Sequence, residues 1–234
     1  MNKMSVTIAC LFLVAGSCLA ADAPAWAPRT GVALDRISTL QDLQALPASS
    51  LPGLFDQAVV PGVDEFRGRT FQGRILHVNY AGVGRLVYSC YTGGWFKALL
   101  GRPDPAGLSF TKIFYPERQP SGASGINYWP LLRRQSMPMQ IYVSPSLEGK
   151  GDSLKVDYNL SINEVFTERP LVDEIRRVPG TAPGTARYLG RMYFRFGTVL
   201  PLCRTQPDGT RKWELVFFPG KGKVLFLWFA LERN

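Results

Sequence analysis

Hydrophobic and polar positions alternate in short runs over most of the chain after residue 66. The runs are rich in Val, Ile, Tyr, Phe and Trp, and Gly, Pro, Asn and Asp separate them, which is typical of β-strands joined by turns. No strand–helix–strand rhythm is visible, so the pattern favours an antiparallel sheet. The predicted strands span residues 70–80, 84–91, 109–115, 139–144, 153–160, 171–178, 186–196, 212–218 and 223–233.

Several of these strands are apolar on both faces, most clearly the last one. In an open sheet one of those faces would be wet, so the pattern predicts an all-β, antiparallel meander closed as a β-barrel of about 8–10 strands. Predicted turns lie at residues 81–84, 148–152, 207–209 and 219–222, and Asp208-Gly209 is a strong hairpin signal. Two long connections, residues 101–107 and 116–130, are predicted to be loops.

The first residues follow a different pattern. Residues 1–20 have a positive start at Lys3, an apolar stretch and small residues before Ala21, which predicts a secretory signal peptide and an exported protein, periplasmic or extracellular. Two alternatives stay open: a retained helical anchor, and lipoprotein processing at Cys18. After cleavage no apolar run reaches the length of a transmembrane span.

An N-terminal irregular and helical segment, residues 21–62, precedes a single predicted β-barrel domain, residues 63–234. Within this segment, Ser38 is the expected cap of a short helix that reaches Leu46, and a second helical turn is predicted over residues 50–58.

The net charge and the distribution of the basic residues indicate which classes of partner are expected. The chain carries a net charge of +9, but its basic residues are scattered rather than clustered on one element. A nucleic-acid-binding module would concentrate them, so no nucleic-acid partner is expected. The balance indicates a preference for anionic surfaces or ligands, or simply a solvated basic surface.

Two cysteines, Cys90 and Cys203, remain after removal of the signal peptide. An even pair in an oxidising compartment predicts a disulfide, with two free thiols as the alternative. One histidine and two separated cysteines make no usual zinc site, so neither a metal nor another cofactor is expected.

Catalytic signals are sparse. His77 is the only histidine, so any His-dependent mechanism must use it, and its predicted strand places it on the face of Phe71 and Ile75. His77 and Tyr88 are the candidate catalytic residues. Asp173 and Glu174 are neighbours in a strand, so their carboxylates should point to opposite faces, with Arg176 or Arg177 as the expected ion-pair partners.

Two stretches resemble an uncharacterised bacterial family with a GxWxG signature. Residues 68–74 resemble the signature itself, with Phe71 in place of the tryptophan and one extra residue before it, and residues 171–178, 188–193 and 226–233 resemble the C-terminal module. That family is similar to the calycins, which include the lipocalins. The resemblance implies a calycin/lipocalin-like barrel in which the Phe71 ring packs against Arg233 and closes the base.

The abundance of aromatic residues leads to the functional hypothesis. A barrel of about eight strands can hold one small molecule, and such pockets are mostly apolar with a few polar groups. We therefore expect a non-catalytic protein that binds a hydrophobic or anionic amphipathic, lipid-like ligand. The candidate ligand-binding residues are Phe71, His77, Tyr88, Tyr128, Trp129, Arg133, Met192 and Phe194.

Two other function classes stay open. One is an enzyme of the isomerase or cyclase type on the same scaffold, for which His77 or Tyr88 would matter. The other is a periplasmic inhibitor or immunity protein, in which residues 101–107 and 116–130 insert into a protein partner. The alternative for the aromatic residues themselves is ordinary packing of the core.

Overall fold

The structure, a computed structural model, describes residues 37, 39–79, 108–148, 150–179 and 186–233. Two short helices come first, α1 (Leu40–Ala45) and α2 (Leu51–Gln57), and 3-10 turns lie at Ala48–Ser50, Val63–Glu65 and Pro130–Leu132. The strands are β1 (Thr70–Val78), β2 (Ser109–Phe114), β3 (Gly125–Trp129), β4 (Arg134–Pro145), β5 (Asp152–Asp157), β6 (Leu171–Arg177), β7 (Arg187–Thr205) and β8 (Arg211–Arg233).

The eight described strands form a closed antiparallel ring. Each strand pairs with the next one along the chain, and β8 returns to pair with β1. The predicted all-β, antiparallel class is therefore confirmed. The strands β1, β3, β5 and β7 end at one end of the ring, which we call the hairpin end. The strands β2, β4 and β6 end at the other, where the turn before β1 carries Phe66, and we call this the Phe66 end.

Alternating side chains divide the strands into an inner and an outer face. The inner face forms one large apolar core, and the outer face of β1, β7 and β8 forms a second core beneath the helices. This arrangement explains why β8 is apolar on both faces: Phe229 and Leu231 point inward, while Trp228 and Ala230 pack under α1 and α2.

The N-terminal helices begin where short-range signals place them, with one difference. The cap of α1 is Thr39: its hydroxyl accepts from the Asp42 backbone N–H at 3.1 Å, and the Asp42 carboxylate accepts from the Thr39 N–H at 2.6 Å. This reciprocal capping box makes Thr39 the N-cap of α1. Ser38, the predicted cap, lies outside the described residues. Leu43, Leu54 and Phe55 of the two helices are fully buried against the ring.

Phe66 closes its end of the ring. Its ring stacks on Phe71 at 4.7 Å and meets Phe114 at 5.1 Å and Tyr188 at 4.9 Å. Phe71 therefore packs within a group of aromatic rings that we call the plug (Phe66, Phe71, Phe114 and Tyr188). Arg233 lies opposite Phe71 in the β1–β8 register but is exposed. The expected pairing of Phe71 with Arg233 as the closure of the base stays a prediction of the resemblance.

A β-bulge in β1 changes the face of His77. The register with β8 shifts between Ile75 and His77, so that Ile75 faces Phe229 and His77 faces Trp228. A bulge places two consecutive residues against one partner and reverses the alternation that follows. His77 is consequently exposed on the outer face, and its predicted position on the face of Phe71 is wrong.

Other strand boundaries also differ from the sequence prediction. Residues 125–129, predicted as part of a loop, form β3, because the backbone pairs with both β2 and β4. The predicted turn at 219–222 lies inside β8, where a register shift between Arg195 and Gly197 on β7 accommodates it. The turn at Asp208-Gly209 is confirmed, and Gly209 has φ +81°. The predicted strand 84–91, the turn 81–84 and the loop 101–107 lie outside the described residues.

Candidate functional site

Two adjacent acids on β6 point to opposite sides of the ring, as their spacing predicts. Asp173 lies on the inner face between Leu171 and Ile175, and Glu174 lies on the outer face. Both are fully buried. Their predicted partners are wrong, because Arg176 binds backbone carbonyls and Arg177 pairs with Glu65, 3.1 Å away.

Asp173 belongs to a polar group inside the apolar core, which we call the interior cluster (Lys112, Asn127, Tyr158 and Asp173). The Lys112 ammonium donates to Asp173 Oδ2 at 2.9 Å, to the Tyr158 hydroxyl at 2.6 Å and to Asn127 Oδ1 at 3.1 Å. The Tyr158 hydroxyl donates to the same Asp173 Oδ2 at 2.9 Å and accepts from Asn127 Nδ2 at 3.2 Å. All three ammonium protons are thus used.

Aromatic rings surround the Lys112 ammonium. Its nitrogen lies 5.5 Å from the centroid of Phe110, 5.3 Å from that of Tyr158 and 5.4 Å from that of Phe229, within the range of cation–π attraction. Glycines make room for two of these rings. A Cβ at Gly73 would come within 2.4 Å of Phe110, and one at Gly190 within 2.1 Å of Phe229. Gly73 of the 68–74 stretch therefore serves the packing around the cation.

Burial shifts the protonation equilibria of the interior cluster toward the neutral forms. Desolvation lowers the pKa of Lys112, although Asp173 acts in the opposite direction. Desolvation likewise raises the pKa of Asp173 against the effect of Lys112, and it raises the pKa of Tyr158 well above its usual range. Burial therefore disfavours the charged forms of all three groups, while the contact between Lys112 and Asp173 favours the charged forms of that pair.

One oxygen of the interior cluster is left without a partner. Asp173 Oδ1 is buried and accepts no hydrogen bond from any described residue. Leaving a buried acceptor unpaired costs about 1–3 kcal/mol, and burying an ion pair is often no better than packing apolar side chains of equal volume. The interior cluster is therefore expected to stabilise the fold no better than apolar side chains of the same volume would.

Glu174 belongs to the opposite arrangement, the outer cluster (Ser146, Lys155, Glu174 and Arg191). Lys155, Glu174 and Arg191 are successive cross-strand neighbours on β5, β6 and β7. Glu174 Oε1 accepts from Lys155 Nζ and from the Leu147 backbone N–H. Its Oε2 accepts from Arg191 Nε at 2.8 Å and from the Ser146 hydroxyl at 3.2 Å. Every carboxylate oxygen is therefore paired.

The outer cluster is covered by α2 and by the turn between β4 and β5. The Arg191 guanidinium carbon lies 4.1 Å from the Phe55 ring centroid, and that of Arg176 lies 4.8 Å from it. Burial tends to raise the pKa of Glu174, but Arg191 and Lys155 outweigh it and lower the pKa below its usual value. The outer cluster thus holds a stable carboxylate and fastens α2 to the ring.

The structure brings three of the predicted ligand-binding residues to the inner face toward the hairpin end. Trp129, Met192 and Phe194 all belong to the inner core. Met192 lies directly opposite Asp173 in the β6–β7 register, and the Trp129 ring lies 5.7 Å from Phe110, which in turn flanks Lys112. These side chains therefore pack in the inner core close to the interior cluster.

The remaining predicted residues are elsewhere. Phe71 lies in the plug at the Phe66 end, and His77 is exposed outside. Tyr128 is half-buried on the outer face, since it neighbours the inward Trp129, and Arg133 is exposed in the turn after β3. Tyr88 and Cys90 lie outside the described residues. Cys203 has a free, exposed thiol, and its disulfide with Cys90 stays a prediction.

Sequence reasoning missed all the polar residues of the interior cluster as site residues. A signal for two of them was present: Lys112 alternates with Phe110 and Phe114, and Asp173 alternates with Leu171 and Ile175. A single charge on an otherwise apolar face is unusual, because charged residues are almost never fully buried unless paired. Which charges pair, however, depends on the ring register.

Two further features bear on function. Within the described ranges, no group of His, Cys, Asp and Glu side chains is arranged to hold a metal ion. A cleft of about 460 Å³ lies at the Phe66 end, and its lining includes Arg67, Glu117, Arg118 and Tyr142. This cleft is separate from the interior cluster and brings together mostly exposed groups.

Among the helices of the described residues, none combines the length and the apolar character needed to cross a bilayer. Comparison of the chain with models of known protein families, with curated protein sequences and with solved structures found no match.

Proposed function

We propose that this is an exported, non-catalytic protein that binds an amphipathic small molecule inside a calycin-like barrel. The apolar part of the ligand contacts Trp129 and Phe194, and its polar end reaches the interior cluster. The observation that carries the proposal is Asp173 Oδ1, a fully buried acceptor without a partner among the described residues, beside the Lys112 ammonium.

The unpaired oxygen indicates the chemistry of the polar end. All three protons of the Lys112 ammonium already have acceptors, whereas Asp173 Oδ1 still needs a donor. A hydroxyl or an amine on the ligand supplies that donor and recovers the cost of the buried acceptor. The proposed ligand is therefore a lipid-like molecule with a hydroxyl or amino group.

The direction of entry follows from the packing at the two ends. At the Phe66 end, Phe66 and Phe71 have no exposed surface. Toward the hairpin end, Trp129 is 7% and Met192 6% exposed. Mostly apolar pockets with a few fixed polar groups are the usual form of small-molecule sites. The small remaining exposure of Trp129 and Met192, which are both buried, favours entry of the ligand from the hairpin end, with its polar group at the interior cluster.

One observation favours a second function, an enzyme on the same scaffold. Tyr158, Lys112 and Asp173 form a short hydrogen-bonded chain in which desolvation favours the neutral forms of all three groups. Such a chain can move a proton at a bound substrate, as an isomerase or a cyclase requires. The candidate catalytic residues are then Lys112, Tyr158 and Asp173 rather than His77.

Native mass spectrometry of the mature protein, purified from its compartment, tests the proposal. We expect a co-purifying small molecule that denaturing extraction releases. Asp173→Asn and Trp129→Ala should each lose it, whereas Asp208→Asn, which changes an exposed acid in the β7–β8 turn, should retain it. An apo mass for the wild-type protein, or retention by Asp173→Asn, would contradict the proposal.

The same samples separate binding from turnover. A binding protein returns the extracted ligand unchanged after incubation. Conversion of the ligand by the wild-type protein, with no conversion by Lys112→Met, would favour the enzyme instead.

A further inference from the structure

The β7–β8 hairpin extends beyond the ring as a two-stranded arm, which we define as residues 197–219. Up to Phe194, β7 also pairs with β6, but within the arm β7 and β8 pair only with each other. The arm is anchored at its base, where Asn159 donates to the Phe217 carbonyl at 3.3 Å and Arg169 donates to the Leu215 carbonyl at 2.6 Å. These two hydrogen bonds join the base of the arm to the connection after β5.

The arm exposes apolar side chains on both of its faces. Leu200, Leu202 and Phe218 share one face according to the β7–β8 register, and Trp213 and Leu215 share the other. Trp213 is 68% exposed. Isolated two-stranded hairpins are at best marginally stable in water, and contiguous exposed apolar surface usually marks an interaction site.

Basic residues flank this apolar block. Arg204, Arg211 and Lys212 are exposed near the tip, and Lys221 and Lys223 are exposed at the base. Arg204 forms an ion pair with Glu214 at 2.6 Å. The arm thus has an apolar middle, with tryptophan near its tip, between two positively charged zones.

The rest of the hairpin end continues the same surface. Leu131 in the turn after β3, and Ile162 and Phe166 in the connection after β5, are also exposed large hydrophobic residues. Arg133 and Arg134 are exposed beside Leu131. Because the connections after β3, β5 and β7 all lie at this end, these exposed side chains are at the same end of the ring as the arm.

We propose that the hairpin end docks on an anionic lipid bilayer, with the arm inserted into the headgroup region. A groove on a protein partner would cover one face of a ribbon, whereas a bilayer interface surrounds it and covers both. Exposed arginines and lysines beside the apolar block match the negative surface potential of an anionic leaflet. Tryptophan is enriched at membrane interfaces, where its amphipathic ring is favoured.

This inference does not depend on the proposed ligand. It concerns the outside of the hairpin end, and the variants that test it leave the interior cluster unchanged. The protein can fail to bind vesicles and still retain a small molecule, or it can bind vesicles without retaining one, and the experiments distinguish these two results.

Co-sedimentation of the mature protein with vesicles tests the docking. We expect binding to mixed phosphatidylglycerol–phosphatidylcholine vesicles at low salt, weaker binding at high salt and little binding to phosphatidylcholine alone. Arg211→Gln combined with Lys212→Gln should lower the partition coefficient by about thirtyfold. Trp213→Ser should lower it by about tenfold.

Matched controls change the same chemistry at the Phe66 end. Arg67→Gln combined with Arg118→Gln removes two exposed positive charges there, and Val143→Ser removes an exposed apolar side chain. Both controls should bind vesicles like the wild type. Circular dichroism should give the wild-type melting temperature for Trp213→Ser, because that side chain is mostly solvent-exposed.

Three results would overturn the inference. The first is equal binding to both vesicle types. The second is a loss of binding in the controls as large as that in the arm variants. The third is a dimer in light scattering that Trp213→Ser converts to a monomer, which would assign the arm to a second copy of this chain.

Discussion

Asp173 and Glu174 are chemically similar neighbours on β6, yet the two sides of the ring treat them in opposite ways. On the outside, Glu174 has partners for both oxygens, and its cationic neighbours lower its pKa despite burial. On the inside, Asp173 has one oxygen without a hydrogen-bond partner among the described residues, and burial raises its pKa despite Lys112. The complete hydrogen bonding of Glu174 indicates a structural role, whereas the incomplete hydrogen bonding of Asp173 makes it the candidate for function.

The largest expected effect comes from breaking the outer cluster. Glu174→Gln removes the counter-charge of the buried Lys155 and leaves Arg191 only its ion pair with Glu148 at 2.9 Å, so the free energy of unfolding should fall by about 3–5 kcal/mol. Urea denaturation measures it. Glu117→Gln, which changes an exposed acid in the turn after β2, should stay within about 0.5 kcal/mol of the wild type. A loss below about 1 kcal/mol for Glu174→Gln would refute the structural role of the outer cluster.

Replacing the interior ion pair should have the opposite sign. Lys112→Met combined with Asp173→Leu removes both charges and the unpaired oxygen, so the protein should be unchanged or more stable by about 1–4 kcal/mol. The same variant should lose the co-purifying ligand. Urea denaturation together with native mass spectrometry checks both parts. A strong destabilisation would show that the interior cluster stabilises the fold rather than serving a ligand.

Lowering the pH should change the contributions of Glu174 and Asp173 to the free energy of unfolding in opposite directions. The lowered pKa of Glu174 means that its contribution is complete above pH 4.5 and is lost as the pH falls through the folded-state pKa. The raised pKa of Asp173 means that its contribution is present at acid pH and is lost as the pH rises above 3.8 through the folded-state pKa. On acidification, the stability difference between wild type and Glu174→Gln should therefore shrink, while that between wild type and Asp173→Asn should change in favour of the wild type. Urea denaturation at a series of pH values measures both differences, and parallel trends would contradict the assignment.

The smallest effect is expected at the solvent edge of the outer cluster. Lys150 pairs with Asp56 of α2 at 2.9 Å, but the lysine side chain is about half exposed. Lys150→Ala should therefore cost about 0.2–1 kcal/mol, and less at high salt, because exposed ion pairs are screened. Thermal unfolding at low and high salt checks this. A loss of stability as large as that of Glu174→Gln would contradict this prediction and would show that the Lys150–Asp56 pair is as important as the buried ion pairs.

Much of the fold was predictable because strand signals are local. Alternation located seven of the eight described strands, although it divided β8 into two strands, 212–218 and 223–233. The second apolar face of β8 packs in the layer beneath the helices. Asp208-Gly209 fixed the hairpin between β7 and β8, since few residues tolerate the positive φ that Gly209 adopts. Only β3 was missed, because residues 125–129 follow a glycine- and serine-rich stretch that is typical of a loop.

The candidate site was predictable only in part. Trp129, Met192 and Phe194 follow from their apolar character and their place on the inward face. The position of His77 was wrong, because alternation holds only while a strand continues without a bulge.

The strand pattern, the hairpin turn and the opposite orientation of Asp173 and Glu174 can all be predicted from the sequence, because each depends on residues near one another in the chain. Which charged groups form ion pairs depends instead on the tertiary fold. Lys112 and Asp173 are separated by 61 positions and come within 2.9 Å only because the strands close into a ring in one register. The same closure places full hydrogen-bond partners around Glu174 on the outer face and leaves Asp173 Oδ1 on the inner face without one among the described residues, since both depend on groups that distant strands supply.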